Sequence, residues 1–215
     1  MTDSTTTRIT TQMMFAIPLG TCTVPKFICD PIKKFPAMTQ HDTRTFTYQT
    51  TPEMYNVLKD HSDLKRELTS LFSTWINSIQ RNNQTWVMTT NWVTENPDGS
   101  HMSMHNHTNC MYSAVLYFDK HDENHPPLRF YNPFALNTQR TIHTTGAVSN
   151  PFTNYCYTAP IGEGTMIMFP SFLFHEHDPF EPTSNRKSFA CNFFPIGVFG
   201  GADSTLDTNW LKYDE

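Results

Sequence analysis

Charge is scarce in this 215-residue chain: Asp, Glu, Lys and Arg together make up 16% of it, and the formal net charge is −5. The 15 Lys and Arg are scattered rather than clustered, which argues against a surface built to neutralise nucleic-acid phosphates. No apolar run approaches the roughly 20 residues that a membrane span needs. The longest early one, Met13 to Gly20, is broken by Pro18 and follows a Thr-rich start without a basic cluster, so no signal peptide is expected. The five cysteines (Cys22, Cys29, Cys110, Cys156, Cys191) include no CxxC pair. That pattern is a poor disulfide framework and a poor zinc-finger pattern, and it predicts buried thiols in a reducing compartment. No Gly-rich phosphate loop, nucleophile elbow or HExxH helix occurs, which argues against nucleotide-dependent and familiar hydrolytic chemistry. The chain is therefore expected to be soluble and cytoplasmic, with no nucleic-acid or membrane partner.

What is abundant points to strands and turns. Aromatic residues reach 13%, Phe alone accounts for 17 residues, and Thr, Asn and Pro are common. Residues 1–12 are polar and low in complexity, and are expected to fray. Met13 to Cys22 reads as an opening strand. Thr51-Pro52-Glu53 offers an N-cap, a first-turn proline and a first-turn acid for a helix. Leu64, Leu68, Leu71, Phe72, Trp75, Ile76 and Ile79 then recur at the spacing of one helical face. Such a stripe needs a surface to cover, most simply one face of a sheet. From Thr85 onward, short apolar runs alternate with Pro, Gly, Asn and Asp clusters: Thr85–Val93, Ser103–Thr108, Tyr112–Phe118, Leu128–Tyr131, Tyr155–Ala159, Thr165–Phe169, Leu173–His177 and Lys187–Phe194. About eight strands without intervening helices predict an antiparallel sandwich or jelly roll. The length suits one domain, with residues 1–84 as N-terminal strand and helices and 85–215 as the jelly-roll core. No internal repeat is visible.

Chemistry concentrates in three segments. If Ser103 to Thr108 is a strand, His105 and His107 project from the same face, because side chains two apart on a strand do so. His175 comes 68 residues after His107. Two imidazoles from one strand and a third from a distant one suit a facial metal site that leaves positions open for substrate and O2, as non-haem Fe(II) oxygenation requires. Arg186 follows His175 by 11 positions, with Ser188 two further on. A guanidinium beside a hydroxyl is well suited to hold a carboxylate. Taken alone, the His pair could be solvent-facing, His175 structural and Arg186 an ordinary surface arginine. Their order along the chain is what gives them weight.

These residues resemble the 2-oxoglutarate and Fe(II)-dependent oxygenases, in which a distal His is followed about ten residues later by an Arg-x-Ser motif. The likeness is closest to a group common in bacteria and their phages. Three segments carry it: His105-x-His107 leading to Ser113-Ala-Val-Leu-Tyr117, Gly164-Thr-Met-Ile-Met-Phe-Pro-Ser171 leading to His175, and Arg186-x-Ser188 leading to Asn192. It extends loosely to Met13–Gly20 and so covers most of the chain. The resemblance implies a double-stranded β-helix with Fe(II) held by His105, His107 and His175. It implies 2-oxoglutarate meeting Arg186 and Ser188 through its far carboxylate, with Tyr117 as a further contact and no catalytic side chain beyond the metal ligands. The expected reaction couples oxidative decarboxylation of 2-oxoglutarate to hydroxylation of a substrate, either a small molecule or a protein side chain. A phage-encoded chain would work in the host cytoplasm.

One departure stands out: His107 occupies a position usually held by Asp or Glu. Alternatives therefore stay open. His107 with Asn109 is a second register, and His177 a second choice for His175. His121-Asp122-Glu123-Asn124-His125 reads as a solvated turn. His101 could line the approach, and Asp178 and Glu181 could support a ligand imidazole but are expected to be exposed. Rival functions are a jelly-roll binding module with a structural metal or none, and a three-histidine dioxygenase that does not use 2-oxoglutarate. Only the first reading requires Arg186 and Ser188. Substrate choice would lie in loops such as Asp119–Pro127 and Pro133–Pro151.

Overall fold

The computed structural model describes residues 16–39, 55–96, 102–121, 125–134, 154–178 and 186–211. A strand β1 (Gly20–Thr23), a short helix α1 (Lys26–Ile32), a strand β2 (Ala37–Thr39) and a long helix α2 (Ser62–Gln80) lead into the β core. Eight strands follow: β3 (Thr85–Asn96), β4 (Met102–His105), β5 (Tyr112–Tyr117), β6 (Arg129–Tyr131), β7 (Cys156–Thr158), β8 (Thr165–Pro170), β9 (His175–His177) and β10 (Arg186–Ile196). A small ribbon of β11 (Val198–Phe199) and β12 (Leu206–Asp207) comes after them. The eight runs expected from the sequence are all strands, with shifted ends.

Two sheets form the core. One has the order β1-β8-β5-β10-β3-β2 and the other β4-β9-β6-β7. The chain passes back and forth between them: β3, β5, β8 and β10 lie in the larger sheet, and β4, β6, β7 and β9 in the smaller. Every pairing within that set is antiparallel. This is the jelly roll the sequence predicts. β1 and β2 extend the larger sheet at its two edges, so the elements before Thr85 share a sheet with those after it.

The larger sheet is covered on both faces, which explains why its strands read as near-continuous apolar runs. On one side lies α2. Its buried Leu68, Phe72 and Ile76 pack with Met88, Leu116, Phe189 and Phe193. Phe72 stacks on Phe193 at 3.9 Å between centroids and meets Trp86 edge-on at 5.3 Å. The far end of the stripe peels away, leaving Ile79 45% exposed. α2 stops at Arg81, whose left-handed backbone (φ 54°) breaks the helix. On the other side, between the sheets, Val115, Tyr117, Ile167, Phe169 and Ala190 face Leu128, Phe130 and Leu173. Along β10, Phe189, Cys191 and Phe193 therefore face α2, while Ala190, and with it Ser188 and Asn192, face the interior.

Several expectations need correction. β1 starts at Gly20, not Met13. The ladder begins only where Met168 of β8 lies opposite, Pro18 has no N–H to contribute, and residues 13–15 lie outside the described residues. Gly20 also fits tightly against α2, since a Cβ there would stand 2.6 Å from the Trp75 indole. The seven-residue α1, with Pro31 inside it, has no periodic stripe and was not expected. The helix start at Thr51-Pro52-Glu53 lies outside the described residues, as do His101 and Glu181. All five cysteines are free, with Cys29 and Cys191 buried and the other three half-buried.

The Phe72 contacts give a direct test of the helix–sheet interface. Phe72→Ala removes a fully buried ring between α2 and β10 and should cost about 3–5 kcal/mol of unfolding free energy. Urea denaturation read by tryptophan fluorescence measures it, and a loss under 1 kcal/mol would show that α2 does not depend on this seam.

Candidate metal centre

His105 ends β4 directly opposite His175, the first residue of β9. That pairing brings two imidazoles from distant parts of the sequence to 4.3 Å between centroids. His107 arrives differently from the expectation. β4 stops at His105, and His107 lies beyond it, where its backbone N–H donates to the Ser171 carbonyl at 3.0 Å. This bond ties the end of the smaller sheet to the end of β8 in the larger one. It places the His107 ring 5.4 Å from His105 and 5.1 Å from His175. The ligand nitrogens of the three lie within 4.8 Å of one another. The shared face was foreseen, but a turn creates it, not strand alternation.

Each ring is held by its Nδ1. In His105 this nitrogen is 2.9 Å from the Ser103 carbonyl, and in His175 it is 3.0 Å from the Leu173 carbonyl. A carbonyl only accepts, so both Nδ1 atoms carry the proton and both Nε2 atoms present a lone pair. His107 Nδ1 lies 2.7 Å from the Asn192 side-chain carbonyl oxygen and 3.0 Å from the Ser113 hydroxyl. The Asn192 amide is oriented by its own N–H, which donates to Thr90 Oγ1 at 2.9 Å. The amide oxygen must therefore face His107, and this ring too offers Nε2. Ser113 also donates to Asn192 at 2.8 Å and pairs with Ser171 at 2.8 Å. Three neutral imidazoles thus converge with the same nitrogen exposed, the arrangement in which metal-ligating histidines are ordinarily held.

The surroundings keep the rings neutral. Phe169 lies 4.9 Å and Phe130 5.8 Å from His175, and Trp92 lies 5.7 Å from His107. Burial pushes His105 and His107 below the usual imidazole value, only partly offset by the bonds to Ser103 and Asn192. His175, fully buried, lies well below it, through burial first and then the neighbouring His105 and His107. A neutral imidazole is the form that binds a metal. No carboxylate joins the cluster among the described residues, so the donor set is all nitrogen, which suits Fe, Zn, Cu or Ni over Mg or Ca.

The other candidates separate clearly. Asn109 is exposed, with a left-handed backbone (φ 59°), which argues against the His107/Asn109 register. His177 is buried one pleat along from His175, opposite Met102, and its Nδ1 meets the Asp178 carbonyl at 2.9 Å. It lies outside the cluster. Asp178 serves Arg129 instead of an imidazole, alongside Glu176 at 2.9 Å from the same guanidinium. The expectation of a solvated turn at 121–125 fails at both of its ends. His125 is only 5% exposed, and His121 packs between His125 and Tyr117 with centroids at 5.0 and 4.7 Å. A flat, partly apolar ring fills interior space that the Pro- and Asp-rich sequence did not suggest.

Ser188 is buried and shares a 2.9 Å hydrogen bond with Thr94. Tyr117 is fully buried between the sheets, opposite Thr165. Arg186 opens β10 opposite Asn96 of β3. Sequence reasoning gave no role to Ser113, Ser171 or Asn192. The available signal was the two-residue step from Arg186 through Ser188 and Ala190 to Asn192, which puts the asparagine on the interior face.

Residues 90–192 match a family model described as "Putative 2OG-Fe(II) oxygenase". Among solved structures, the chain is similar to a prolyl-4-hydroxylase from Pseudomonas putida, at 15% identity over 82% of this chain and 84% of that one, with a TM-score of 0.48. It is also similar to an oxidoreductase of the 2OG-Fe(II) oxygenase family from Burkholderia pseudomallei, at 12% identity over 64% and 54%, with a TM-score of 0.41. A third is apo HygX from Streptomyces hygroscopicus, at 13% identity over 64% and 69%, with a TM-score of 0.42. The chain thus spans about half the length of the Burkholderia protein, 54%. No curated protein sequence matches it.

The depressed imidazoles make the metal-free protein acid-sensitive. Their folded-state values lie below the unfolded value of about 6.5, so between the two the unfolded chain binds protons that the folded chain refuses. Stability is therefore complete above about pH 6.5 and falls as the pH drops, by at most about 1.4 kcal/mol per pH unit for each such ring. Urea midpoints of chelator-treated protein at pH 7.5 and 5.5 should differ in that direction. His175→Gln should lose less over the same interval, and an equal loss would count against the burial argument.

Proposed function

We propose, from the similarity of residues 90–192 to a 2OG-Fe(II) oxygenase family model, that this chain hydroxylates a substrate at an iron held by His105, His107 and His175. The family's cofactors are Fe(II) and 2-oxoglutarate. The observation that carries the assignment is the convergence of three imidazoles whose Nδ1 atoms are all engaged. That arrangement fits an ion and has no purpose in packing alone, since three apolar side chains would fill the space without the cost of buried polar groups. Because β1 and β2 complete the larger sheet, we read the chain as a single oxygenase unit.

The remaining roles are assigned to residues of β10 and β5. Arg186 and Ser188 would hold the far carboxylate of 2-oxoglutarate, with Tyr117 of β5 beside them. Bound Fe(II) supplies the redox chemistry by which O2 converts 2-oxoglutarate to succinate and CO2 while one oxygen atom enters a substrate C–H bond. The protein's own tasks are to keep the three rings neutral and aligned and to pair the co-substrate's charge. Apolar walls at Phe130, Phe169 and Trp92 keep bulk water from the rings. The all-imidazole donor set is the one observation favouring a second reading, a three-histidine dioxygenase without 2-oxoglutarate, and Arg186 decides between them.

Metal analysis of anaerobically loaded protein should give one Fe(II) per chain. His105→Ala, His107→Ala and His175→Ala should each abolish binding, while His177→Ala keeps it. His107→Asp should retain more affinity than His107→Ala, since a carboxylate can stand where the imidazole stood. Stoichiometric iron in His175→Ala would remove the assignment.

The co-substrate test is a titration of 2-oxoglutarate into the anaerobic Fe(II) protein, followed by the metal-to-ligand charge-transfer band. Arg186→Ala should bind iron normally and 2-oxoglutarate about 30-fold more weakly or worse, from leaving a carboxylate unpaired in a partly desolvated pocket. Arg186→Lys should recover only part of this, because an ammonium cannot pair in a planar, bidentate way. Iron binding without any such band in the wild type would favour the second reading.

A further inference from the structure

The interior face of the larger sheet is arranged in rows. Thr90, Asn192, Ser113 and Phe169 lie side by side across β3, β10, β5 and β8, and this row supports His107. The next row, Trp92, Ala190, Val115 and Ile167, is apolar. Polarity then returns with Thr94 beside Ser188 on β3 and β10, and Tyr117 beside Thr165 on β5 and β8. One step further along β3 is Asn96, opposite Arg186. A ligand lying along this face therefore meets the metal-supporting row at one end, an apolar stretch, and hydrogen-bonding groups at the other.

Asn96 is the unexplained member of the distal group. It is 1% exposed, and its Nδ2 has no hydrogen-bond partner among the described residues. Its neighbour Thr94 shows the contrast, because that hydroxyl is paired with Ser188 at 2.9 Å. The strand alternation that puts Trp92 and Thr94 inside puts Asn96 inside too. A buried amide N–H without an acceptor bears the full desolvation of that group. Valine, isoleucine or threonine would suit a strand better than asparagine. A ligand acceptor resolves the conflict. The carboxylate is the best match, being acceptor-only with about four lone-pair sites and forming the stronger, charge-assisted bond.

We propose that Asn96 donates its side-chain N–H to the far carboxylate of 2-oxoglutarate, as a further co-substrate-binding residue beside Ser188 and Arg186. The inference rests on the assignment of that carboxylate to Arg186 and Ser188. Asn96 then also discriminates: a 2-oxo acid without the distal carboxylate leaves the amide as unpaired as it is in the free chain, and gains nothing from it.

The experiment compares wild type, Asn96→Leu, which nearly preserves the side chain's shape, and Asn96→Ala, which fits in any case. Two readouts are taken: thermal midpoints of the free chain, and affinities of the anaerobic Fe(II) protein for 2-oxoglutarate and for 2-oxobutanoate, which lacks the distal carboxylate. Removing an unsatisfied buried donor should leave the Asn96→Leu midpoint equal or higher. Its affinity for 2-oxoglutarate, and that of Asn96→Ala, should fall about 10-fold or more, with 2-oxobutanoate affinity unchanged. A lower midpoint in Asn96→Leu with undiminished 2-oxoglutarate affinity in either variant would make Asn96 a structural residue and overturn the proposal. If Arg186→Ala weakens 2-oxoglutarate and neither Asn96 variant does, the proposal falls and the functional reading stands. If the wild type binds no 2-oxoglutarate, the reading itself falls and takes the proposal with it.

Discussion

Three imidazoles can aim lone pairs at one small volume only if each ring is held by its other nitrogen. Here that restraint comes largely from the backbone. Ser103 and Leu173 lie two residues before the histidines they hold, so His105 and His175 are oriented by their own local chain. His107 cannot be held in this way, because it stands beyond the end of β4. Its restraints come from across the fold: the Ser171 carbonyl at the end of β8 and the Asn192 amide on β10. The jelly roll is what brings those two strand ends to one place. The centre thus depends on the closure of one sheet over the other, and the helix α2, which touches none of the three rings, acts on it by backing the strands that supply Ser113 and Asn192.

The same closure sets the electrostatics. Burial costs an imidazolium more than an imidazole, so enclosure by Phe130, Phe169 and Trp92 selects the neutral form. The network behind His107 is neutral too, consisting of Asn192, Ser113, Ser171 and Thr90. A carboxylate in place of Asn192 would pull the imidazole towards its protonated form in the absence of metal. An asparagine fixes the tautomer without adding charge.

Much of this was legible in the sequence, for a physical reason. The larger sheet is buried on both faces, so each of its strands had to be an apolar run, and the turn residues between runs marked the crossings. The α2 stripe was equally plain because one helical face meets one sheet. His105 and His175 could be paired by order along the chain. What was hidden depended on register. That β4 ends at His105 and lets His107 turn towards β8 cannot be read from Ser103 to Thr108, where strand alternation gives the same grouping. The interior position of Asn96 depends on a register shift between β10 and β3 at Asn192/Phe193, which reverses the faces of β3 beyond Met88 and which no local pattern marks. The buried His125 was hidden by neighbours that look like a turn.

On the proposed function, a histidine at position 107 in place of a carboxylate ligand has a consequence for charge. Fe(II) on three neutral imidazoles carries two positive charges, and on two imidazoles and one carboxylate it carries one. 2-Oxoglutarate brings two negative charges, one at the metal end and one at the far carboxylate. If, as proposed, Arg186 answers the latter, a three-histidine iron and the co-substrate's near carboxylate would together keep one net positive charge, where a carboxylate ligand would leave none. In a low-dielectric enclosure that difference is felt strongly. It favours an anionic or electron-rich group beside the metal and disfavours a cationic one. On that proposed reading, the all-imidazole set would constrain which substrates can approach, through the charge of the centre itself.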